Sequence, residues 1–366
     1  MNDLNDSAQP DVARDDLAAD GSILAYAPEF DDFENVTVAE PFHSYAEPLP
    51  CEEPLSGLEG LNAAAFGLNL VAASSVSGGI AKPNNVREDW MNRYDGVRSL
   101  RIQDCILPGT HNSASDKEAK RAPSNETCQD VSPLKQLRAG IRVLDLRVQF
   151  YAGYPANDPR RFSIFHQGNS GRTVRDDILG GLAHFRSTPG FNTSREMVIL
   201  DFHEFKGFNK AAHLELAKLI KGSVGVERLV TPSMATMTIG QIWSKGPANT
   251  VIAYNSGERD SSFWSGVNQR WIGSNTPTDN ALRDFIAAVG REKKGATELK
   301  AVQAAKYALP GFVPNDKSDK LMTWFASGEG KPILNHYIIN TDWSLRQRLV
   351  DNCIHGNFLR GRSIRY

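Results

Sequence analysis

From Trp90 onward, short runs of apolar residues alternate with longer stretches in which apolar residues recur at helical spacing. The short runs predict strands, and the amphipathic stretches predict helices. The candidate strands are Arg101–Leu107, Arg142–Phe150, Phe162–Phe165, Met197–Phe202, Thr250–Tyr254 and Tyr337–Ile339. The candidate helices are Pro133–Ala139, Val174–Phe185, Ala211–Ile220, Asn280–Val289 and Ser344–Cys353.

This alternation of strands and helices predicts an α/β fold with a mostly parallel sheet. A region of roughly 270 residues with this pattern fits a TIM (β/α) barrel or an open doubly wound sheet. Neither a GxGxxG motif after the first strand nor a GxxxxGK[ST] motif occurs, and these are the usual signatures of nucleotide binding in open sheets. The pattern therefore favours a barrel, formed by residues 90–366.

The first 60 residues differ in composition from the rest of the chain. They hold 15 of the 43 acidic residues but only one of the 41 basic residues, so positions 61–366 carry a net charge of about +12. We expect residues 1–56 to form a flexible acidic tail, because such a composition buries too little apolar surface to offset the entropy of ordering. Residues 57–89 form an apolar, Ser/Gly-rich connecting segment.

The basic body favours anionic partners, of which an anionic membrane surface is one, although an ordinary solvated surface explains the charge equally well. The four cysteines lie far apart, which argues against a zinc site. The amino terminus lacks the features of a Sec signal peptide, and residues 57–80 are too polar to span a bilayer. We therefore expect a cytoplasmic protein, or one exported by a non-Sec route.

Side chains with catalytic chemistry follow or lie within four of the segments. His111, His166 and Asp342 come where apolar runs end, and Asp145 and Arg147 point to one face of their strand. The active sites of barrels lie where strands run into loops, so these five residues belong to one candidate site. Taken singly, each has a structural explanation, such as an ion pair between Asp145 and Arg147. Their joint occurrence favours a site.

These residue types suit acid/base chemistry at a phosphate group. Imidazole exchanges protons near neutral pH, so two histidines could deprotonate a nucleophile and protonate a leaving group. The planar guanidinium of Arg147 matches phosphate oxygens. A buried carboxylate could hold a catalytic imidazole in the required tautomer.

Five blocks of sequence carry these residues: Leu107-Pro-Gly-Thr-His-Asn-Ser, Leu144-Asp-Leu-Arg-Val, Phe165-His-Gln-Gly, Val198-Ile-Leu-Asp-Phe-His and Asn340-Thr-Asp-Trp-Ser. In this order they resemble the blocks of the phosphatidylinositol-specific phospholipase C X-domain family, above all its bacterial and X-domain-only members. The resemblance covers about Trp90 to Tyr366. It implies a distorted TIM barrel that cleaves phosphatidylinositol-type phospholipids to diacylglycerol and a cyclic inositol phosphate.

The same resemblance implies roles for individual residues. His111 would be the general base, and His166 the general acid toward the departing diacylglycerol. Arg147 would stabilise charge on the phosphate, Asp342 would orient His111, and Asn112 would complete the catalytic group. Partners would be a phospholipid at a membrane surface, with peripheral anionic contact and no nucleic acid.

The resemblance also bears on metal dependence. Calcium-using members resemble one another in a carboxylate at the position of Arg147 and a glutamate at that of His203. A fixed cation at Arg147 would repel calcium, so we predict that no metal or other cofactor is required. Asn112 argues the other way, because a His-Asn pair also occurs in calcium-using members.

The residues that bind the headgroup in the family are matched less well in this sequence. Metal-free bacterial members have a lysine at the position of His203 and an arginine near Tyr254, and neither cation is present. The predicted substrate-binding residues are Asp145, His203, Tyr254 and Trp271. Phe263, Trp264 and Trp271 suit either the rim of the site or the core, and we expect all three to lie in the core.

Two other functions fit the same sequence. A metal-dependent glycerophosphodiesterase would also use paired histidines, although Arg147 suits a metal cluster poorly. The missing headgroup cations alternatively permit a phosphoinositide-binding module with weak catalysis.

Overall fold

A computed structural model describes residues 85–364 and 366. The predicted acidic tail and the connecting segment up to residue 84 lie outside the described residues. Residues 85–89 of that segment contact the main domain, since Asn85 and Arg87 hydrogen-bond to Asp351.

The described region alternates strands with helices. The strands are β1 (Leu107–Thr110), β2 (Val143–Phe150), β3 (Phe162–Phe165), β4 (Asn169–Thr173), β5 (Val198–Lys206), β6 (Thr250–Tyr254), β7 (Trp264–Ser265), β8 (Asn268–Arg270), β9 (Lys300–Ala304), β10 (Tyr307–Ala308), β11 (Val313–Pro314) and β12 (Ile338–Thr341). The helices are α1 (Trp90–Arg93), α2 (Pro133–Arg138), α3 (Gly181–Arg186), α4 (Lys210–Val224), α5 (Ile239–Lys245), α6 (Asp279–Arg291), α7 (Ser318–Trp324) and α8 (Leu349–Ser363). A π-helical segment, Val174–Gly180, leads into α3.

The main sheet has parallel strands in the order β7-β6-β5-β2-β1-β12-β9-β8. Its two edge strands, β7 and β8, are separated in the chain by only Gly266 and Val267. A linker this short cannot cross a flat sheet of eight strands, so the sheet must curl until its edges meet. The predicted α/β barrel class is confirmed.

The helices pack on the outside of this curled sheet through apolar faces. In α4, Leu216, Ile220 and Val224 recur every fourth residue and are buried. The side chain of Asn209 caps α4 by accepting a hydrogen bond from the Ala212 amide. The outward-facing residues of the strands and these helical faces form the hydrophobic core.

The first predicted strand was misplaced along the chain. Residues Ile102–Asp104 form a 3-10 turn, and the strand begins at Leu107 and ends at Thr110. The segment Leu107–Thr110 includes Pro108 and Gly109, which disfavour strands by local propensity. Gly109 is nevertheless needed, because a Cβ there would lie 1.9 Å from Oδ1 of Asn340 on β12.

The strand before His166 departs from the mostly parallel sheet that the sequence predicts. β3 runs antiparallel to the end of β2, with Val148 opposite Ile164, and continues into the hairpin partner β4. The connection between β2 and β3 holds only a short 3-10 turn, so the chain returns antiparallel instead of crossing over to a parallel position. Strands β4 and β7 to β11 and helices α1, α5 and α7 were absent from the sequence prediction.

Candidate active site

His111 and Asp342 lie next to each other because the strands that precede them are neighbours. β1 and β12 pair in parallel with Thr110 opposite Thr341, so the next residue of each chain segment leaves the sheet at the same point. Nδ1 of His111 is 2.8 Å from Oδ1 of Asp342, and both side chains are almost fully buried. The carboxylate therefore accepts the Nδ1 proton and leaves Nε2 of His111 as the basic nitrogen.

A buried glutamine holds these two loops in register. Nε2 of Gln129 donates to the carbonyl oxygens of His111 at 2.8 Å and Thr341 at 2.9 Å. Its Oε1 accepts a hydrogen bond from the Ser344 amide. Because one side chain bonds both segments, Gln129 fixes the distance between His111 and Asp342.

His166 reaches the same site from the β3–β4 hairpin. Its Nδ1 lies 3.0 Å from the carbonyl oxygen of Glu126, so Nδ1 is the donor and Nε2 faces the site. The carboxylate of Glu126 accepts a hydrogen bond from the Gly168 amide at 2.9 Å, which anchors the turn that follows the histidine. Glu126 thus orients His166 through both its backbone and its side chain.

The amide of Asn112 lies between the two imidazoles. Its Nδ2 is 3.1 Å from Nε2 of His111 and 3.3 Å from Nε2 of His166, and the ring centroids are 6.5 Å apart. Asn112 adopts a left-handed φ of 47°, which asparagine tolerates better than most residues, and its backbone amide donates to Asp145. Both Nε2 lone pairs therefore face one small volume.

Burial lowers the pKa of His166, and the fixed positive charge of Arg147 lowers it further; the hydrogen bond to the Glu126 carbonyl opposes this shift. In the free protein His166 is consequently neutral at neutral pH, with its proton on Nδ1. To donate a proton from Nε2 it must first bind a second proton. A bound phosphate would favour that form by compensating for the surrounding positive charge.

Asp145 and Asp201 face each other across β2 and β5 in the barrel interior. Burial and the charge of Asp145 raise the pKa of Asp201 well above its usual range. Burial also opposes ionisation of Asp145, but the cationic forms of His203 and His111 outweigh it and lower its pKa. Asp145 is therefore the anion of the pair, and Asp201 holds a proton. The predicted substrate-binding residue Asp145 is 1% exposed and supports the Asn112 loop.

Arg147 lies on the same face of β2 as Asp145, at the mouth of the barrel. Its Nη1 forms an ion pair with Glu204 at 3.1 Å, and its Nε is buried without a hydrogen-bond partner among the described residues. The predicted pairing with Asp145 is thus replaced by Glu204, an exposed side chain that a ligand can displace. His203 is half-buried beside Asp145 and also has an unpaired Nδ1 among the described residues.

Two groups of side chains have ligand atoms close enough to hold a metal ion within the described part of the chain. They are His111, Cys128 and Asp342, and Asp145, Asp201 and His203, with atoms within 4.8 Å in each group. The second group fits calcium poorly, because Asp201 holds a proton and calcium favours several anionic oxygens. The prediction that no metal is required stays a prediction.

The structure does not bring Tyr254 to the site. Its side chain is 1% exposed, packs against Phe205 and bonds to Nδ1 of His213 on α4 at 2.8 Å. Successive residues of a strand point to opposite faces, and Ala253 rather than Tyr254 aligns with the inward-facing Asp201. Tyr254 therefore belongs to the layer between sheet and helices.

The other aromatic candidates differ in how far they are buried. Phe263 and Trp264 are buried, and the Trp264 indole donates to the carbonyl of Val230, so their core interpretation is confirmed. Trp271 follows β8 at the carboxyl ends of the parallel strands and is 46% exposed, so the core interpretation is wrong for this residue. It lies on the same side of the barrel as His111.

Sequence reasoning missed four residues of the site: Gln129, Glu126, Cys128 and Tyr307. The first three lie in the long loop after β1. Polar residues are common there, and no sequence pattern distinguishes a residue whose side chain supports the site. The Tyr307 ring centroid is 6.5 Å from that of His166. Burial, and then the negative charge of Asp342, raise the pKa of its hydroxyl, so Tyr307 stays a neutral hydrogen-bonding group.

Comparison with curated proteins confirms the predicted resemblance. No family model matches the chain. PI-PLC X domain-containing protein 1 of Homo sapiens is 24% identical over 228 residues, which cover 54% of this chain and 67% of that protein. PI-PLC X domain-containing protein 3 of Danio rerio is 24% identical over 233 residues, which cover 56% of this chain and 70% of that protein.

Solved structures share the fold. Phosphatidylinositol-specific phospholipase C from Listeria monocytogenes has a TM-score of 0.56 at 15% identity, with 74% of this chain and 98% of that chain covered. A variant of the Staphylococcus aureus enzyme has a TM-score of 0.53 at 12% identity, with 74% and 96% covered. At these identities the likeness establishes a phosphatidylinositol phospholipase C-like fold.

Proposed function

We propose that this chain is a metal-independent phosphodiesterase that cleaves phosphatidylinositol-type phospholipids by paired-histidine acid/base catalysis. The observation that carries the proposal is the position of His111 and His166, whose Nε2 atoms both face the amide of Asn112. Two imidazoles on opposite sides of one small volume suit a reaction that needs a base and an acid. The named relatives support the substrate class.

The reaction balances with groups that the chain provides. Nε2 of His111 takes the proton of an inositol hydroxyl, whose oxygen attacks phosphorus. The bond from phosphorus to the diacylglycerol oxygen breaks, and that oxygen receives a proton from Nε2 of His166. Arg147 leaves Glu204 to bind the phosphate oxygens, where its charge stabilises the transition state.

The edge that carries the site suits contact with a phospholipid surface. Trp271, Leu309 and Phe312 are exposed apolar residues in the segments that follow β8 and β9. The amide of Tyr307 donates to the carbonyl of Asn275, which holds these two segments together. Aromatic and apolar side chains settle at the interface of a membrane. Within the described residues, none of the helices has the length and apolar character needed to cross a bilayer.

The pKa of His166 sets an expected pH dependence. The acid form of His166 is present below its pKa and lost as the pH rises through it, and that pKa lies below the ordinary value of about 6.5. At a pH high enough for His111 to be the free base that the mechanism requires, we expect kcat/KM to fall about tenfold per pH unit, because the required proton of His166 is lost. The check is a pH profile of phosphatidylinositol cleavage in mixed micelles. A value of kcat/KM that stays constant or rises above about pH 8 would contradict this assignment.

The direct test is incubation of the purified chain with phosphatidylinositol vesicles in EDTA, followed by phosphorus NMR. We expect a cyclic inositol phosphate signal at a rate that EDTA does not change. Activity abolished by EDTA and restored by metal would instead indicate the metal-dependent phosphodiesterase. Vesicle binding without product, with or without calcium, would indicate the lipid-binding module.

A further inference from the structure

A second concave site lies at the opposite end of the barrel from His111 and His166. It is a cavity of about 430 Å³ lined by residues that precede β5 and β6 and by the end of α5. Arg195 comes just before β5, whereas His203 lies near the carboxyl end of that strand. The six residues from Val198 to His203 span roughly 17 Å of strand, so the two sites are separate.

The lining of this cavity carries positive charge and no acidic side chain. Arg195, Arg228 and Lys245 line it together with Trp243 and small residues. Among the described residues, Arg195 and Lys245 form no ion pair, and Arg228 approaches Glu227 only at 4.0 Å in a largely exposed pair. A pair of that kind contributes little neutralisation, so the three cations repel one another in the absence of a ligand.

One buried N–H group in the lining of the cavity lacks an acceptor within the described part of the chain. Trp243 is 5% exposed, and its indole Nε1 has no hydrogen-bond partner there. Nε of Arg186, which does not line the cavity but interacts electrostatically with Arg228, is also unpaired, although its other nitrogens bond to Val224 and Asn249. A buried donor without an acceptor is costly, which points to an acceptor supplied by a ligand.

The pKa of the neighbouring Arg186 reflects the excess of positive charge near the cavity. Burial and then the charge of Arg228 lower the pKa of Arg186 to about 10. Arg98 adds a further cation, with its guanidinium carbon 5.2 Å from the centre of the Trp243 ring. Three cationic side chains and one unsatisfied N–H donor therefore line one small cavity, and two further arginines lie near it.

We propose that this cavity binds a phosphate-type anion, a phosphate monoester or the phosphate of a headgroup, at a site distinct from the catalytic one. A phosphate group offers several acceptor oxygens and up to two negative charges, which match the guanidinium groups and the indole N–H. Arg195 and Arg228 bind the oxygens, Lys245 adds charge at the rim, and Trp243 donates from the wall.

Isothermal titration of the full chain with inorganic phosphate and with inositol 1-phosphate tests the proposal, at constant ionic strength with chloride as reference. We expect saturable binding that Arg195→Gln with Arg228→Gln weakens about a hundredfold, which is about tenfold for each of the two lost charge-assisted hydrogen bonds. Trp243→Phe, which keeps the ring and removes the N–H, should weaken binding less. Arg291→Gln, an exposed arginine on α6, is the matched control and should leave binding unchanged.

The variant Arg147→Gln tests whether phosphate binds at the candidate active site instead of in this cavity. Phosphate binding that this variant abolishes and the Arg195/Arg228 variant keeps would overturn the proposal, as would the absence of saturable binding to any phosphate probe. Sedimentation with phosphatidic acid vesicles distinguishes the two possible ligands, a free phosphate monoester and the phosphate of a lipid headgroup. Vesicle binding that the double variant loses, without binding of free phosphate, assigns a lipid headgroup. The double variant should cleave phosphatidylinositol in mixed micelles at the wild-type rate, so the proposed catalysis is tested independently.

Discussion

Replacement of His111 by alanine should reduce the rate of phosphatidylinositol cleavage by about 10⁴-fold while the chain stays folded. In the proposed mechanism, Nε2 of His111 accepts the proton of the attacking hydroxyl, since Nδ1 is held by Asp342 at 2.8 Å. The loss should fall on kcat, because imidazole acts on the proton in transit rather than on the bound headgroup.

The two histidines should also depend on each other. In a reaction that needs a base and an acid together, the variant with both His111→Ala and His166→Ala should be only slightly slower than either single variant. Phosphorus NMR of cyclic phosphate formation measures all three rates.

An exposed histidine provides the control. His184, on α3, lies on the outside of the barrel, and His184→Ala should cleave at the wild-type rate. Thermal unfolding of each variant separates loss of chemistry from loss of structure. If folded His111→Ala keeps a tenth or more of the wild-type rate, His111 is not the general base.

Replacement of Arg142 by methionine should lower the free energy of unfolding by about 3–5 kcal/mol, because it leaves the charge of Glu196 buried and unpaired. Both side chains are 0% exposed, and Nη2 of Arg142 lies 2.5 Å from Oε2 of Glu196. The same guanidinium donates to the carbonyl oxygens of Leu137 and Ile141, and Glu196 accepts from the amides of Met91 and Asn92. One ion pair thus ties the segment before β1 to the starts of β2 and β5.

Urea unfolding and calorimetry measure this effect, with an expected fall in Tm of about 10 °C. The double variant Arg142→Met, Glu196→Met should be more stable than Arg142→Met alone, because it leaves no unpaired charge. It should stay below the wild type, since the carbonyls that Arg142 satisfied lose their donor. Arg283→Gln, which breaks an exposed pair with Asp284, is the control and should change stability by less than about 0.5 kcal/mol. A wild-type Tm for Arg142→Met would refute the role of this pair.

The sequence by itself determined the α/β class and the presence of His111, Arg147, His166 and Asp342 in one region. For His111, Arg147 and Asp342 this was possible because apolar runs mark strands and parallel strands present their carboxyl ends at one edge. His166 was placed with them by the resemblance of its sequence block. Once β1 and β12 pair, the positions of His111 and Asp342 follow from the register.

The tertiary structure alone decided how the site is held. Gln129 and Glu126 orient His111 and His166 from a loop with no periodic pattern, so contacts distant in sequence define their roles. His166 arrives on an antiparallel hairpin, an arrangement that a short apolar run does not specify. Tyr254 is the last residue of a correctly predicted strand, yet its side chain faces the helices. A shift of one residue along a strand reverses the side of the sheet that a side chain occupies.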